Sequence, residues 1–376
     1  MLAIGLCLVV VVAWSMLTGF FQKKATPVSN PNQTAGQTSG QGDGQVSGQA
    51  APAAIPGTAT TPPPVEEVRR IVEQPGLYRV EVTSRGAALT KFELLDSKMW
   101  SRDLRWLTLK NGQPVQEVRS QDGPTNLLTS YRPSLVVRLP ESGVALPEPA
   151  EQQPYALVSD ETLPDQTRRL SFVLELPEVK VVKTFSFPPK SLQIGFTVDI
   201  ENKKNAPVSH HLEVSLEGYQ DPSQKAGMFS PRVVQNEVLW DKAGKRHNLN
   251  LEALLEHKTD AEDLRGGLRW LGIAQQYFIT GLAMPFGAQV GDKQAKAKAD
   301  ANGAISASVV FSDQLLQPGQ KLSYPFTLYA GPKQPEALDA VTVSGQTVGM
   351  STAIEYTWGL GAIARPLLWI LRQFFH

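Results

Sequence analysis

Apolar and polar residues alternate in short runs along most of the chain. Residues 77–84 read LYRVEVTS. Residues 192–202 read LQIGFTVDIEN and place Ile194, Phe196, Val198 and Ile200 on one face. Residues 321–331 read KLSYPFTLYAG and place Leu322, Tyr324, Phe326 and Leu328 on one face. Residues 304–311 (AISASVVF) and 211–218 (HLEVSLEG) repeat the pattern more weakly. A period of two belongs to strands with one buried face. Gly, Pro and Asn separate the runs, and no strand–helix–strand rhythm appears, which argues against a parallel sheet. The pattern predicts a mainly β protein, a large antiparallel sandwich with few helices. Two short helices are expected, over 248–258 and 334–341. No internal repeat is found.

One stretch breaks the alternation. Residues 266–286 read GGLRWLGIAQQYFITGLAMPF, with a single basic residue, Arg269, and no acid. It is too short, and too polar at Gln275 and Gln276, to span a bilayer. It is expected to form one buried central strand over 270–284, ended by Pro285. Gln275 and Gln276 then hydrogen-bond within or beside the sheet. Core packing is the expected role of Trp270, Tyr277 and Phe278, with a ligand groove as the alternative.

The two ends have different chemistry. Residues 1–21 are an uncharged apolar run, about 30 Å long as a helix and so matched to a hydrocarbon core. Trp14, Met16 and Leu17 stand where a signal-peptide cleavage site needs small residues, so an uncleaved anchor is expected rather than a cleaved leader. Cys7 ends a weak lipoprotein-like IGLC, but no basic region precedes it. Lys23 and Lys24 follow the anchor, which read literally puts the large domain in the cytoplasm. Basic residues upstream of this chain are expected to reverse that. Residues 25–64 are rich in Gly, Gln, Ser, Thr, Ala and Pro. Such a segment lacks the apolar surface to offset ordering entropy. The expected organisation is therefore an anchor at 1–22, a disordered low-complexity linker at 23–65, a β domain at 66–350, and an amphipathic helix at 351–376. In that last segment Leu360, Ile363, Leu367, Leu368 and Leu371 share one helical face. Aromatic and basic residues flank that stripe, which suits a membrane interface. The candidate interface residues are Trp358, Arg365, Trp369, Arg372, Phe374 and Phe375. Docking of the helix on its own domain is the alternative.

Composition removes several functions. The chain of 376 residues carries 36 basic and 36 acidic groups, so charge offers no reason to expect nucleic acid. With Cys7 alone, no intrachain disulfide can form. The five histidines lack zinc-site spacing, and His210–His211 are expected to be an exposed strand pair. No phosphate-cradling glycine loop, nucleophile elbow or metal-binding helix motif occurs. The pairs Glu66–Glu67 and Glu262–Asp263 fall in stretches that read as solvated loops. No catalytic, cofactor-binding or metal-ligating residue is assigned.

Several segments together resemble one family. WLGIAQQYFITGLAMP (270–285) is similar to the Gln-Gln-Tyr-Phe stretch late in the periplasmic domain of the YidC family of membrane protein insertases. YTWGLGAIARPLLWILRQFFH (356–376) is similar to the interfacial helix before that family's second transmembrane segment. VTSRGAALTKFELL (82–95) and LYAGPKQPEAL (328–338) fit more weakly. The resemblance implies a galactose-mutarotase-like β-supersandwich without enzymatic activity, held at the bacterial inner membrane with the large domain in the periplasm. The implied partners are the lipid bilayer, the Sec translocon with its accessory subunits of the SecDF type, and nascent membrane proteins. The family's five-helix insertase core has no counterpart in the 376 residues. A membrane-anchored carbohydrate-binding or carbohydrate-active protein of the same fold is the competing reading.

Overall fold

A computed structural model describes residues 66–95, 109–110, 113–114, 125–128, 132–140, 142–143, 146–220, 236–256, 261–263, 267–285 and 292–355. The chain divides into the units Met1–Pro62 and Pro63–His376, and all described residues belong to the second.

The first strands are β1 (Arg69–Gln74), β2 (Tyr78–Thr83), β3 (Ala88–Leu94), β4 (Leu109–Lys110), β5 (Gln113–Pro114), β6 (Thr125–Asn126) and β7 (Val136–Arg138). Longer ones follow: β8 (Ala156–Thr162), β9 (Arg168–Glu175), β10 (Val179–Phe187) and β11 (Gln193–Asn202). Next come β12 (Val208–His210), β13 (Glu213–Tyr219), β14 (Glu237–Lys242), β15 (Lys245–Asn250), helix α1 (Leu251–Leu255) and β16 (Ala261–Asp263). The series closes with β17 (Trp270–Ala274), β18 (Phe278–Ala283), β19 (Lys293–Ala299), β20 (Ala304–Phe311), β21 (Gln314–Leu316) and β22 (Lys321–Pro332). Helix α2 (Pro335–Asp339), β23 (Thr342–Val343) and β24 (Gln346–Thr347) follow.

Among the described residues these strands build a nine-stranded sheet ordered β15-β14-β17-β18-β22-β11-β10-β9-β8. A five-stranded sheet runs β16-β19-β20-β13-β7, and a four-stranded sheet runs β1-β2-β3-β6. The ladders are antiparallel, as the alternation predicts. In the pairing of β11 with β22, Ile194 faces Leu328, Phe196 faces Phe326, Val198 faces Tyr324 and Ile200 faces Leu322. The two most regular alternations in the sequence thus meet residue for residue. A one-residue slip of either strand would turn its own apolar row to the other face of the sheet. The rows continue through aromatic contacts: Phe185 to Phe196 at 5.0 Å, Phe196 to Phe326 at 5.7 Å, and Phe326 to Phe311 of the five-stranded sheet at 5.8 Å. Together they join two sheets into one core.

Five expectations need correction. Residues 270–284 are not one strand but the hairpin β17–β18. The Gln275 N–H donates to the Phe278 carbonyl at 2.8 Å, which makes Gln276 and Tyr277 the turn. Apolar residues on both faces hid this turn. Tyr277 is exposed at the tip rather than in the core. Helix α1 starts only at Leu251, because residues 245–250 pair with β14. The Asn250 side chain caps it, accepting from the Ala253 N–H at 2.9 Å. Helix α2 falls within the expected 334–341. His210 is buried, not exposed, since its Nε2 meets the Tyr324 hydroxyl at 2.8 Å and so has an internal partner. Glu262 and Asp263 lie in β16 rather than in a loop.

Candidate functional site

The outer face of the nine-stranded sheet changes character along its width. On β10 and β11 the outward residues are half-exposed and mostly polar. On β14, β17, β18 and β22 the outward residues Leu239, Trp270, Ala274, Ile279, Ala283 and Tyr329 are buried. Residues 333–355 cover them. This strap contributes Leu338, Val341, Val343, Val348, Met350 and Ala353, all buried against that patch. The result is an apolar cluster distinct from the main core.

Two glycines shape the centre of this contact. Gly272 and Gly281 face each other across the β17–β18 hairpin. A Cβ on Gly281 would lie 3.0 Å from the Met350 sulfur, and one on Gly272 would lie 2.7 Å from the Thr280 carbonyl. Without side chains the pair leaves a slot, and Met350 fills it. An unbranched thioether suits such an irregular gap.

Charged groups frame the patch. Asp241 of β14 is fully buried, and Arg269 pairs with it at 3.0 Å. The Arg269 guanidinium lies against the turn at Gly349, whose φ is +66°. Burial of that carboxylate is tolerable because a cation and its hydrogen bonds satisfy it. At the sheet edge Arg246 joins Glu237 at 2.9 Å and Glu355 at 3.2 Å. Lys333, where the strap begins, has its pKa lowered by burial.

A second set of polar groups lies inside the sandwich. Lys183 stands on the apolar face of β10, wholly buried between the rows of Phe172 and Val198. Its Nζ donates to the carbonyls of Gly86 (2.7 Å) and Leu135 (2.6 Å), and lies 5.5 Å from the Tyr155 and Phe196 rings. It ties the β2–β3 turn and the approach to β7 to the nine-stranded sheet. Desolvation holds its pKa well below the usual lysine value. Burial also lowers Lys293 to about 8, lowers His210, and raises Glu217, whose Oε1 accepts a hydrogen bond from the Ser306 hydroxyl at 2.9 Å.

Two small cavities lie between these layers. One is apolar, lined by Val238, Trp240, Leu249 and Leu271 against Ala295 and Ala297; the other is lined partly by Glu217, Asn236 and Thr280. Each measures about 10 Å³, room for about one water. Neither admits a sugar ring or a peptide side chain. Among the described residues no group of His, Cys, Asp and Glu is placed to hold a metal ion.

The candidate interface residues Trp358, Arg365, Trp369, Arg372, Phe374 and Phe375 lie outside the described residues, as does the expected anchor. Among the described residues no helix is long and apolar enough to cross a membrane. Trp270 is in the core, as expected, but on the outer face under the strap. The roles of Asp241, Arg246, Gly281 and Met350 were not foreseen. The equal spacing of the two glycines about Gln276–Tyr277 could have revealed their pairing, had the turn been recognised.

The described residues thus form an antiparallel β-supersandwich whose nine-stranded sheet is covered on its central outer face by residues 333–355. The model of the YidC periplasmic domain matches residues 72–370, and the chain belongs to that family. It is 24% identical over 317 residues to the membrane protein insertase YidC of Aromatoleum aromaticum, an alignment covering 84% of this chain and 52% of the relative. It is 27% identical to that of Syntrophobacter fumaroxidans, with 100% of this chain and 63% of the relative covered. The chain thus spans about half the length of the first of these relatives. Among solved structures, a galactose mutarotase-like protein from Lactobacillus casei aligns at 9% identity and a TM-score of 0.45, covering 70% of this chain and all of that one.

Proposed function

We propose that this chain is the membrane-anchored periplasmic part of a YidC-type insertase and chaperone, which assists insertion and folding of inner-membrane proteins with and without the Sec translocon. The observation that carries the reading is the family match across 72–370. In this reading residues 1–22 anchor the chain, 23–65 tether it, 66–350 form the periplasmic domain, and 351–376 lead from the sheet edge, where Glu355 meets Arg246, to the membrane interface. Trp358, Arg365, Trp369, Arg372, Phe374 and Phe375 set that last helix into the headgroup region. The domain acts by docking partners: the Sec translocon, SecDF-type subunits and emerging membrane proteins. It performs no catalysis.

The physical division of labour supports this. Moving a polar segment into hydrocarbon requires shelter for its backbone groups, each costing several kcal/mol if left unsatisfied (roughly 4–8 on an alkane scale). One anchor and one interfacial helix cannot enclose such a path, so the domain holds or positions partners while other membrane helices insert. Two experiments test the reading. In spheroplasts, added protease should reach the β domain, and in intact cells it should not; a domain protected in both places it in the cytoplasm. In liposomes holding residues 1–376 alone, a single-span substrate should insert no better than into protein-free vesicles. Efficient, protease-protected insertion would show that the active part had been misplaced.

A further inference from the structure

The strap is pinned along its whole course. The Lys333 N–H donates to the Tyr277 carbonyl at 2.7 Å, at the tip of the β17–β18 hairpin. Gln193 of β11 donates to the Ala340 carbonyl at 3.0 Å and accepts from the Thr342 N–H at 3.4 Å. Thr327 of β22 donates to the Thr342 carbonyl at 2.7 Å. Met350 then fills the slot at Gly281, and Glu355 reaches Arg246 at the β15 edge. The segment therefore runs from the hairpin tip to β11 and back across β22, β18 and β14 to β15. It is held by side chains of the sheet it crosses.

In the reading above, residues 23–65 are a low-complexity tether, and a Gly/Ser-like chain of about 40 residues would span about 35 Å on average without a preferred direction. Residues 333–355 end instead at one sheet edge, where Glu355 meets Arg246.

We propose that residues 333–355 are a rigid spacer that sets the orientation of the β domain over the lipid surface, with Met350 in the Gly272–Gly281 slot as its latch. This rests on the reading of 1–22 and 351–376 as membrane-associated. The strap's apolar cluster is separate from the sandwich core, so releasing the latch frees the spacer without unfolding the sheets.

The test uses the full chain in vesicles of phosphatidylethanolamine and phosphatidylglycerol. Cys7→Ser removes the native thiol, and Gln276→Cys at the exposed hairpin tip carries a donor dye. Time-resolved energy transfer to an acceptor lipid reports the spread of tip-to-membrane distances. The parent should give one narrow distribution, and Met350→Ala and Gly281→Val should broaden it. Hydrogen exchange in the same samples should quicken by about tenfold or more for the Val348, Thr352 and Ile354 amides, while β10 and β11 keep their protection. A parent distribution as broad as those of the variants overturns the proposal. So does an unchanged narrow distribution once strap protection has been lost, or strap amides that never loosen apart from the core. If Gly281→Val fails to fold, Met350→Ala decides alone. Absence of energy transfer in every protein removes the membrane reading and the proposal with it, whereas intact transfer with equal widths removes the spacer alone.

Discussion

The β9–β11 end and the β17–β18 centre belong to one sheet and obey different rules. At the first, only the inner face is buried, and every second residue of β10 is buried while its neighbours are half-exposed. At the second, all five residues of β17 are buried. The inner residues Leu271 and Ile273 join the sandwich core, and the outer residues Trp270 and Ala274 join the cluster under the strap. A strand covered on one side must alternate, and a strand covered on both sides need not. What separates the two regions is a chain segment some sixty residues further on.

The largest break in this comparison should come from Trp270→Ala. It empties a fully buried outer position, and the expected cost is about 3–5 kcal/mol in urea unfolding. Thr197→Ala, on the outer face of β11, should cost no more than about 0.5 kcal/mol. Equal effects would mean that the strap does not seal the central strands.

Lys183 is the next point of difference, a lysine in the most regular apolar row of the sheet. Its folded pKa is depressed, so the unfolded chain binds more protons than the native one above that folded value and up to about 10.4. Native stability should therefore rise with pH through that window. Lys183→Met should remove this part of the rise. Lys293, lowered to about 8, should add a rise of the same sign between about 8 and 10.4, and Lys293→Met isolates it. Denaturation midpoints at pH 7, 8.5 and 10 would check both, and identical pH profiles for parent and variants would contradict the assignment.

His210 brings a smaller effect of opposite range. Burial depresses its folded pKa, so the unfolded state takes up protons first as pH drops through about 6.5. Stability should fall on acidification, by at most about 1.4 kcal/mol per pH unit from this group. His210→Gln should lose less between pH 7 and 5 than the parent. Glu217, whose pKa is raised by burial, works the other way, gaining stability on acidification, so the comparison has to be made within one variant pair. The smallest change should be Val158→Ser on the edge strand β8. Val158 is 60% exposed, and the substitution should move the midpoint by less than about 0.5 kcal/mol.

The legible parts of the fold were those governed by local period. The rows of β11 and β22, the antiparallel arrangement and helix α2 all follow from residues a few positions apart. The β17–β18 turn was not legible, because its flanks carry apolar residues on both faces and the glutamine pair resembles an interruption within one strand. Residues 248–250 read as part of a helix because their pairing with β14 leaves no mark in local composition. Histidine 210 looked exposed because its partner, Tyr324, lies more than a hundred residues away in sequence. Sequence separation also hid the candidate site: Asp241 with Arg269, Gln193 with Ala340, and Met350 with Gly281 are contacts between residues that no local pattern links.

The sequence by itself determined that this chain makes an antiparallel β domain, that a low-complexity stretch precedes it, and that it resembles the YidC family. Side-chain alternation and composition are properties of neighbours, and neighbours are visible in a linear text. Only the tertiary structure decided that the outer face of the central strands is dry, that Lys183 bonds to two distant carbonyls, and that residues 333–355 lie pinned across the sheet. Those outcomes depend on which surfaces the chain brings together after long loops have closed. Burial is a property of the assembled layers, so one covered face can be read from a strand, but the segment that covers the other face cannot.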